Sequence, residues 1–353
     1  MPPAAGETAP SLFQSFFLGG FECSTHRRVD GRRLDLLQST GHAAFALRDY
    51  RALRAHGIAT VRDGLRWHRI ETAPGVYDWS SFLPQLRAAR LAGVQPIWDL
   101  CHYGWPDDID IWSPAFVERF ARFARAAATV VRDAYPGTPF YCPVNEISFW
   151  AWAGGSEGDI NPCVRGRGGQ LKRQLVRASL AAIAAIREVD ARARIVSVDP
   201  VIHVVPAAPH ERRRAQAYRR AQYEGWDMLA GRRLPELGGA PHCLDVIGVN
   251  YYSHNQWFFD GRTIRPGEPP YRPFRDILAE TWRRYRRPLF VAETGAEGER
   301  RVPWLRYVCD EVYAARQGGV PVAGICLYPV TDYPGWDNDR HCPTGLVGLA
   351  NER

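Results

Sequence analysis

Eight short apolar runs recur along the chain, and longer segments of mixed polarity separate them. Most of these runs are almost continuously hydrophobic. That pattern is typical of parallel β-strands covered on both faces, whereas strands with one solvated face alternate apolar and polar residues. The runs cover residues 16–23, 59–67, 94–101, 140–148, 193–201, 243–252, 288–295 and 322–332. The pattern therefore predicts eight parallel strands.

Helical patterns lie between these strands. Residues 46–57 (ALRDYRALRAHG) and 80–93 (SSFLPQLRAARLAG) have apolar residues three and four positions apart and end on glycine, as helices often do. Ser113 followed by Pro114 is typical of a helix start. Eight alternations of strand and helix predict an α/β fold, a closed (β/α)8 TIM barrel.

An open doubly wound sheet is the competing architecture. Such sheets usually carry a glycine-rich phosphate loop directly after the first strand. The one glycine-rich candidate, RGRGGQ at residues 165–170, lacks the required spacing and follows no predicted strand. The closed barrel is therefore favoured.

We expect the 353 residues to form a single domain, since barrels of this kind routinely exceed 250 residues. Residues 1–12 are expected to be a flexible N-terminal tail. After the eighth predicted strand, residues 333–353 are too few for a full peripheral helix. The eighth helix is thus expected to be short or missing, because the barrel closes differently there or because the chain is truncated.

Composition and patterning limit where the protein acts. No stretch approaches 18 consecutive apolar residues, so no membrane span is expected, and the start MPPAAGETAP does not resemble a secretion signal. The eight cysteines are dispersed, without a CxxC pair or zinc-ligand spacing. Dispersed thiols favour a reducing, cytoplasmic setting, and we expect neither a metal nor another cofactor.

The formal charge of +7 raises the possibility of a nucleic-acid partner. Arginine supplies almost all of the positive charge, and Lys172 is the only lysine. The arginines are scattered over helix-like stretches such as ERRRAQAYRR and WRRYRRP. A solvated basic surface explains this pattern better than a nucleic-acid interface, so no such partner is expected.

Two glutamates occupy positions that packing alone does not explain. Glu146 interrupts the apolar run YCPVNEIS, and Glu293 ends the seventh predicted strand. Burying a carboxylate costs several kcal/mol unless it is paired, whereas the reactive groups of TIM barrels lie at such strand ends. Acids on strands four and seven face each other across the barrel mouth. One can give a proton while the other attacks, as glycoside hydrolysis requires.

Six motifs then resemble a known family. In chain order they are FLGGFECSTH, VRDGLRWHRIE, LCHYGWP, VNEI, DVIGVNYYSHN and PLFVAETGA. Together they are similar to the strand motifs of glycoside hydrolase clan A, and most similar to family 1, the β-glucosidases. The resemblance covers residues 17–349 and implies the (β/α)8 barrel.

The resemblance implies roles for particular residues. Glu146 would be the general acid/base and Glu293 the nucleophile. Asn145 would bind the sugar hydroxyl beside the reacting carbon, while Arg62 and Tyr252 would keep Glu293 ionised and aimed. The other substrate-binding residues that we expect are His26, His102, Asn250, Tyr328 and Trp336.

The sequence also departs from the family pattern. The family's sugar-binding glutamine aligns with His26, and a tryptophan near the last strand aligns with Tyr328. A glutamate near that strand becomes Gly335, and the tryptophan after His102 becomes Tyr103. The catalytic pair is retained while part of the sugar-binding set is not, so the chemistry is predicted more firmly than β-glucoside specificity.

These observations predict a retaining glycoside hydrolase that cleaves a β-glycosidic bond through a covalent glycosyl-enzyme intermediate. A transglycosylase has the same catalytic pair, and a carbohydrate-binding pseudoenzyme can have the same barrel; both stay open. Metal-dependent hydrolysis is disfavoured because no His-x-His occurs. The sugar, the aglycone and the oligomeric state are left open. Arg27 and Arg28 either recognise an anionic sugar substituent or belong to a solvated basic loop.

Overall fold

The computed structural model of the protein describes residues 11–348. Residues 1–10 of the expected tail lie outside the described residues. Just after them, Phe13 is buried against Phe140 and Phe290, with ring centroids 5.6 and 4.9 Å away. Because Phe140 and Phe290 lie at the starts of their strands, these three rings fill the end of the barrel opposite the carboxyl ends of the strands.

Eight parallel strands close into a barrel, each hydrogen-bonded to its sequence neighbours and the last to the first. This confirms the predicted TIM barrel. The strands are β1 (Phe17–Gly20), β2 (Thr60–Gly64), β3 (Gln95–Cys101), β4 (Phe140–Val144), β5 (Arg194–Pro200), β6 (Val246–Asn250), β7 (Leu289–Thr294) and β8 (Val322–Leu327). All eight are shorter than the apolar runs that predicted them. The run at 140–148, for example, leaves the sheet after Val144.

Helices surround the barrel and cap its loops. They are α1 (Leu36–Ser39), α2 (His42–Ala55), α3 (Trp67–Ile70), α4 (Leu83–Ala92), α5 (Pro114–Ala134), α6 (Ile147–Trp150), α7 (Gly168–Val189), α8 (Arg212–Ala221), α9 (Glu224–Leu229), α10 (Phe274–Tyr285) and α11 (Arg301–Gln317). A π-helical turn, Ala151–Glu157, continues α6. Short 3₁₀ turns occur at Trp79–Ser81, Pro209–Glu211, Pro235–Leu237, Pro241–Cys243 and Gly298–Arg300. None of the described helices is long and apolar enough to cross a membrane.

The helix predictions hold, with small shifts in boundaries. The pattern at 80–93 forms α4, and Gly93 ends it in the left-handed conformation (φ 65°), with its N–H bonded to the carbonyl of Ala89. Helix α5 begins at Pro114 as predicted, although the side chain of Ser113 makes no capping hydrogen bond. Between Tyr328 and Gly348 the structure describes no helix, which agrees with a short or missing eighth helix.

Within residues 11–348, three small two-stranded sheets lie outside the barrel. They pair Glu71–Ala73 with Val76–Tyr77, His203–Val205 with Gln256–Phe258, and Tyr333–Pro334 with His341–Cys342. The last two pairs lie in the segments that follow β5, β6 and β8. These segments leave the carboxyl ends of the strands, where they build the rim of a cavity.

The barrel interior is apolar up to the level of this cavity. Leu18, Ile97, Val196 and Ala292 are fully or almost fully buried there, together with Cys142. The cysteine therefore acts as a small hydrophobic residue, as expected for free thiols in strands. Above this layer the inward-facing residues become polar, which marks the candidate site.

Candidate active site

A cavity of about 1510 Å³ opens at the carboxyl ends of the strands. Both predicted catalytic glutamates line it. Four of the predicted substrate-binding residues line it as well: His102, Tyr252, Tyr328 and Trp336. The structure thus brings together side chains from five different strand ends or the loops that follow them, at the face where TIM barrels carry their reactive groups.

The backbone at Glu146 is bent so that this side chain can enter the cavity. Glu146 has the left-handed conformation (φ 46°, ψ 60°), which is unfavourable for a residue with a Cβ by about 1–2 kcal/mol. Its N–H is fixed by the carbonyl of Val198 on β5, at 3.1 Å. The N–H of Ser148 is fixed by Asp199, at 2.9 Å. These bonds to β5 hold the strained turn between β4 and α6.

Glu146 is surrounded by neutral donors. The hydroxyl of Tyr103 donates to its Oε2, and the amide of Asn250 donates to its Oε1 at 2.7 Å. Burial disfavours the charged form, and the negative charge of Glu293 adds to the effect, so the pKa of Glu146 rises to about 8. These two effects outweigh the two hydrogen bonds, which favour the carboxylate. The carboxyl therefore holds its proton at neutral pH.

Glu293 has the opposite environment. On β7, its Oε1 accepts a hydrogen bond from Arg62 at 2.6 Å, and its Oε2 accepts one from the hydroxyl of Tyr252 at 3.0 Å. The guanidinium ion compensates the charge of Glu293 directly. In the sheet, Glu293 lies opposite Asn250 of β6, whose amide reaches Glu146. A carboxyl that meets neutral donors and a carboxyl paired with a guanidinium thus share one cavity.

Arg62 is the centre of a closed ring of hydrogen bonds beneath the cavity. Its guanidinium donates to both oxygens of Asp99, at 3.0 and 2.7 Å, and to the amide oxygen of Asn145. Asp99 accepts from Nδ1 of His102 at 2.9 Å, which leaves Nε2 as an acceptor for the Asn145 amide at 3.0 Å. The ring locks the orientation of Arg62 toward Glu293.

Asn145 connects this ring to the second glutamate. Its amide nitrogen also donates to the hydroxyl of Tyr103 at 2.9 Å, and that hydroxyl donates to Glu146. A continuous chain of hydrogen bonds therefore runs from Glu293 through Arg62, Asn145 and Tyr103 to Glu146. Arg62, Asn145 and Asn250 do not belong to the cavity lining but bond directly to residues that do.

The remaining predicted residue, His26, lies behind the lining. Its ring packs edge-on against Trp336, with centroids 4.8 Å apart. Burial lowers the pKa of His26 to about 3, and the positive charges of Arg33 and Arg28 act in the same direction. The neutral imidazole thus packs against Trp336, which lines the cavity.

Three residues with evident roles were absent from the predicted site. Tyr103 and Asp99 bond to predicted residues, and Glu22, which ends the first predicted run, lines the cavity. Each had a signal in the sequence: Tyr103 follows His102, Asp99 interrupts the apolar run VQPIWDLC, and Glu22 interrupts FFLGGFEC. For Asp99 and Glu22 the signal is an acid inside an apolar run, and for Tyr103 it is the position next to His102.

One cluster has the composition of a metal site. Ligand atoms of Cys23, Asp99 and His102 lie within 4.8 Å of one another. A metal would need the thiolate, yet burial raises the pKa of the Cys23 thiol well above its usual range. Asp99 is already bound by Arg62 and His102. The cluster therefore fits a support for Arg62 better than a metal site.

Solved structures resemble the chain over most of its length. A β-glucosidase from Thermotoga maritima in complex with methyl acetic acid-substituted glucoimidazole is 17% identical, with 98% of this chain and 94% of that chain covered and a TM-score of 0.77. The family 1 β-glucosidase from the same organism is 17% identical over 97% and 94%, with a TM-score of 0.77. Its deoxynojirimycin complex is 18% identical over 89% and 83%, with a TM-score of 0.73.

The chain has the fold of these β-glucosidases. No protein-family model matches the sequence, and no curated protein matches it. The resemblance of the strand motifs to family 1 therefore agrees with the fold. At this level of identity, an account of activity has to rest on the site itself.

Proposed function

We propose that the protein is a retaining glycoside hydrolase that cleaves a β-glycosidic bond by double displacement. The observation that carries the proposal is the unequal environment of the two cavity carboxyls. Glu293 is paired with a buried guanidinium, whereas Glu146 meets neutral donors and has a pKa of about 8. An ionised nucleophile opposite a protonated acid is what the first step needs.

In that first step, a carboxylate oxygen of Glu293 attacks the anomeric carbon of the bound sugar. The bond between this carbon and the glycosidic oxygen breaks as Glu146 gives its proton to that oxygen. The aglycone leaves with the proton, and the sugar remains as an ester of Glu293. Glu146 is then a carboxylate, and the hydrogen bonds from Tyr103 and Asn250 stabilise its new charge.

In the second step, Glu146 takes a proton from a water molecule whose oxygen attacks the anomeric carbon. The ester bond to Glu293 breaks, and the carboxylate returns to Arg62 and Tyr252. Two inversions give net retention of configuration. Asn145 can bind the neighbouring sugar hydroxyl, as the motif resemblance implies, with the second lone pair of its amide oxygen or by exchanging one of its N–H hydrogen bonds to His102 and Tyr103.

Similar folds support a carbohydrate as the ligand. The β-glucosidase from Thermotoga maritima binds deoxynojirimycin and a methyl acetic acid-substituted glucoimidazole. The aromatic lining here suits the apolar faces of a sugar ring: Tyr103, Phe149, Trp152, Tyr252, Trp257, Tyr328 and Trp336. We further propose that residues 1–353 form one catalytic domain, that it acts without a cofactor, and that it works in the cytoplasm.

Two other functions use the same barrel. A transglycosylase differs only in the acceptor of the second step, which would be a sugar hydroxyl in place of water. A carbohydrate-binding pseudoenzyme has no use for a buried acid held in a strained backbone conformation, so the geometry of Glu146 argues against it.

The test is turnover of a panel of nitrophenyl β-glycosides by the wild type, Glu146→Gln, Glu293→Gln and an exposed control, Glu236→Gln. We expect no measurable turnover without Glu293 and a loss of about 10²–10⁴-fold without Glu146, since that is the usual size of general acid–base catalysis. NMR of the early product should show the β-anomer. Unchanged turnover by either cavity variant, or an initial α-anomer, would contradict the mechanism. A wild type that binds sugars without hydrolysing any would favour the pseudoenzyme.

A further inference from the structure

Glu22 brings a third buried carboxyl into the cavity. It follows β1, has 4% of its surface exposed and lies in the lining together with His102, Tyr328 and Tyr333. The mechanism above gives it no part. Repulsion by Glu293 acts on the pKa of Glu22, so Glu22 lies at the end of the cavity that holds the proposed nucleophile.

The hydrogen bonds of Glu22 leave one oxygen open. Its Oε1 accepts from both the N–H of Ser24, at 3.0 Å, and the hydroxyl of Ser24. No protein donor among residues 11–348 binds Oε2. Burial raises the pKa of Glu22, and the hydrogen bonds from Ser24 offset this rise only in part. The short loop thus fixes the carboxyl and presents a free acceptor to the cavity.

The charge of the whole lining points the same way. Although the chain carries a formal charge of +7, the lining holds more acids than cations. Its cations are Lys172 and Arg300, of which Lys172 is paired with Glu224 at 3.0 Å. Its acids are Glu22, Glu146, Glu224, Glu293, Glu297 and Glu299. Glu224, Glu293 and Glu297 are paired with cations, and Glu146 holds its proton at neutral pH. Glu22 is thus a buried acid of the lining without a paired cation.

Arg27 and Arg28, which were candidates to bind an anionic sugar substituent, bond to other groups of the protein. Arg27 is bonded to Asp107 and to the carbonyl of Gly31, and Arg28 is paired with Asp30 and bonded to the carbonyl of Asp337. Neither belongs to the cavity lining. An anionic sugar would therefore meet neither Arg27 nor Arg28 in the cavity, and beside Glu22 it would meet a buried carboxyl that has no paired cation.

We propose that Glu22 binds a hydroxyl group of the sugar ring and makes the site selective for neutral glycosides over uronides and phosphorylated glycosides. The inference rests on the proposed glycoside-binding function and names its substrate class. A carboxylate accepts a hydroxyl proton well, and a hydrogen bond to a charged group is stronger than one between neutral groups. The same charge repels a uronate or a phosphate at short range.

Kinetics on nitrophenyl β-glucoside, galactoside, xyloside, glucuronide and 6-phosphoglucoside test the proposal. For the wild type we expect the highest kcat/KM on a neutral sugar. In Glu22→Gln, KM for that sugar should rise about 10- to 100-fold with a smaller change in kcat, and the preference over the glucuronide should narrow. Glu236→Gln removes the same charge from an exposed position outside the cavity lining and should change KM less than about twofold.

The outcomes separate the two proposals. A uronide or phosphorylated sugar as the best substrate, or an unchanged KM in Glu22→Gln, would overturn the role of Glu22 while leaving the hydrolase intact. If the wild type hydrolyses nothing, the proposed function fails. Calorimetric titration with methyl β-glycosides then tests the role of Glu22 by itself. Weaker binding of the neutral glycoside by Glu22→Gln, and weaker binding of the uronide than of the neutral glycoside by the wild type, would still support the role. Equal binding in either comparison, or no binding at all, would overturn it.

Discussion

The hydroxyl of Tyr103 donates a hydrogen bond to Glu146 and accepts one from the amide of Asn145. Tyr103 itself has a left-handed backbone (φ 68°), so the ring is held against Glu146 by an uncommon turn after β3. This one phenol joins the proposed proton donor to the hydrogen-bond ring that orients the proposed nucleophile. The two carboxyls are therefore parts of one network rather than independent groups.

Removing this hydroxyl should raise the pKa of Glu146 further. The hydrogen bond from Tyr103 favours the carboxylate, so its loss in Tyr103→Phe favours the protonated form. A hydrogen bond to a charged group is worth about 1.5–3 kcal/mol, which corresponds to a pKa change of roughly one unit or more. We expect the basic limb of kcat/KM against pH to move up by about one unit. An unchanged or lower limb would contradict this, and Tyr313→Phe on the exposed face of α11 is the control.

The wild type should itself lose activity above about pH 8. Glu146 must carry a proton to protonate the leaving group, and its pKa is about 8. As the pH rises through this value the acid is lost, so kcat/KM falls tenfold per unit above it. The profile is measured with an aryl glycoside that has a poor leaving group, for which acid assistance matters most. A basic limb below pH 6 would mean that burial does not raise this pKa in solution.

Arg62 should matter for both stability and activity. Replacement by methionine leaves Glu293 and Asp99 buried without their cation, which costs about 3–5 kcal/mol of unfolding free energy. Arg62→Lys keeps the charge but loses the fork that bonds Asp99 and Asn145 together, so it should fold and yet have a much lower kcat. Urea unfolding and kcat of both variants are compared with exposed Arg177→Lys. Full activity of Arg62→Lys would show that the ring is dispensable.

A second buried network predicts how stability depends on pH. His42 lies between Asp49 and Asp63, with its two ring nitrogens 2.8 and 2.9 Å from their carboxylates. Burial lowers the pKa of His42, but the two carboxylates outweigh this effect and the net pKa is raised above 6.5. The stabilisation from this group is thus fully present below pH 6.5 and is lost as the pH rises through the higher folded-state pKa.

Urea unfolding at several pH values between 6 and 9 measures this effect. The unfolding free energy of the wild type should decrease over that range, and the decrease should be smaller in His42→Gln. Exposed His56→Gln should follow the wild type. A wild-type stability that rises with pH over this range would contradict the raised pKa of His42.

The barrel was predictable because a buried parallel strand leaves a strong mark on sequence. The run at 94–101 became β3 almost without change, since every residue of the strand is buried and nearly all had to be apolar. The strand predicted at 140–148 extends too far, because Ile147 is as apolar as a strand residue although it begins α6. Nothing local distinguishes these two uses of an isoleucine.

The sequence predicts the two acids of the site but not the hydrogen bonds that hold them. Glu146 and Glu293 were visible as charges at strand ends, but the backbone of Glu146 turns left-handed because of bonds to Val198 and Asp199 on another strand. The bond from Asn250 to Glu146 joins β6 to the end of β4 across the cavity. Such pairings depend on barrel geometry, so no spacing along the chain encodes them.

The backbone conformation of Glu146 also affects the thermal stability of the protein. Glycine adopts this left-handed turn without strain, and Glu146→Gly also deletes an acid that resists desolvation. The Glu146→Gly variant, which has lost the proposed acid/base, should consequently have a higher melting temperature than the wild type. Substitution of this one strained residue is therefore a starting point for a more stable barrel that still binds sugar.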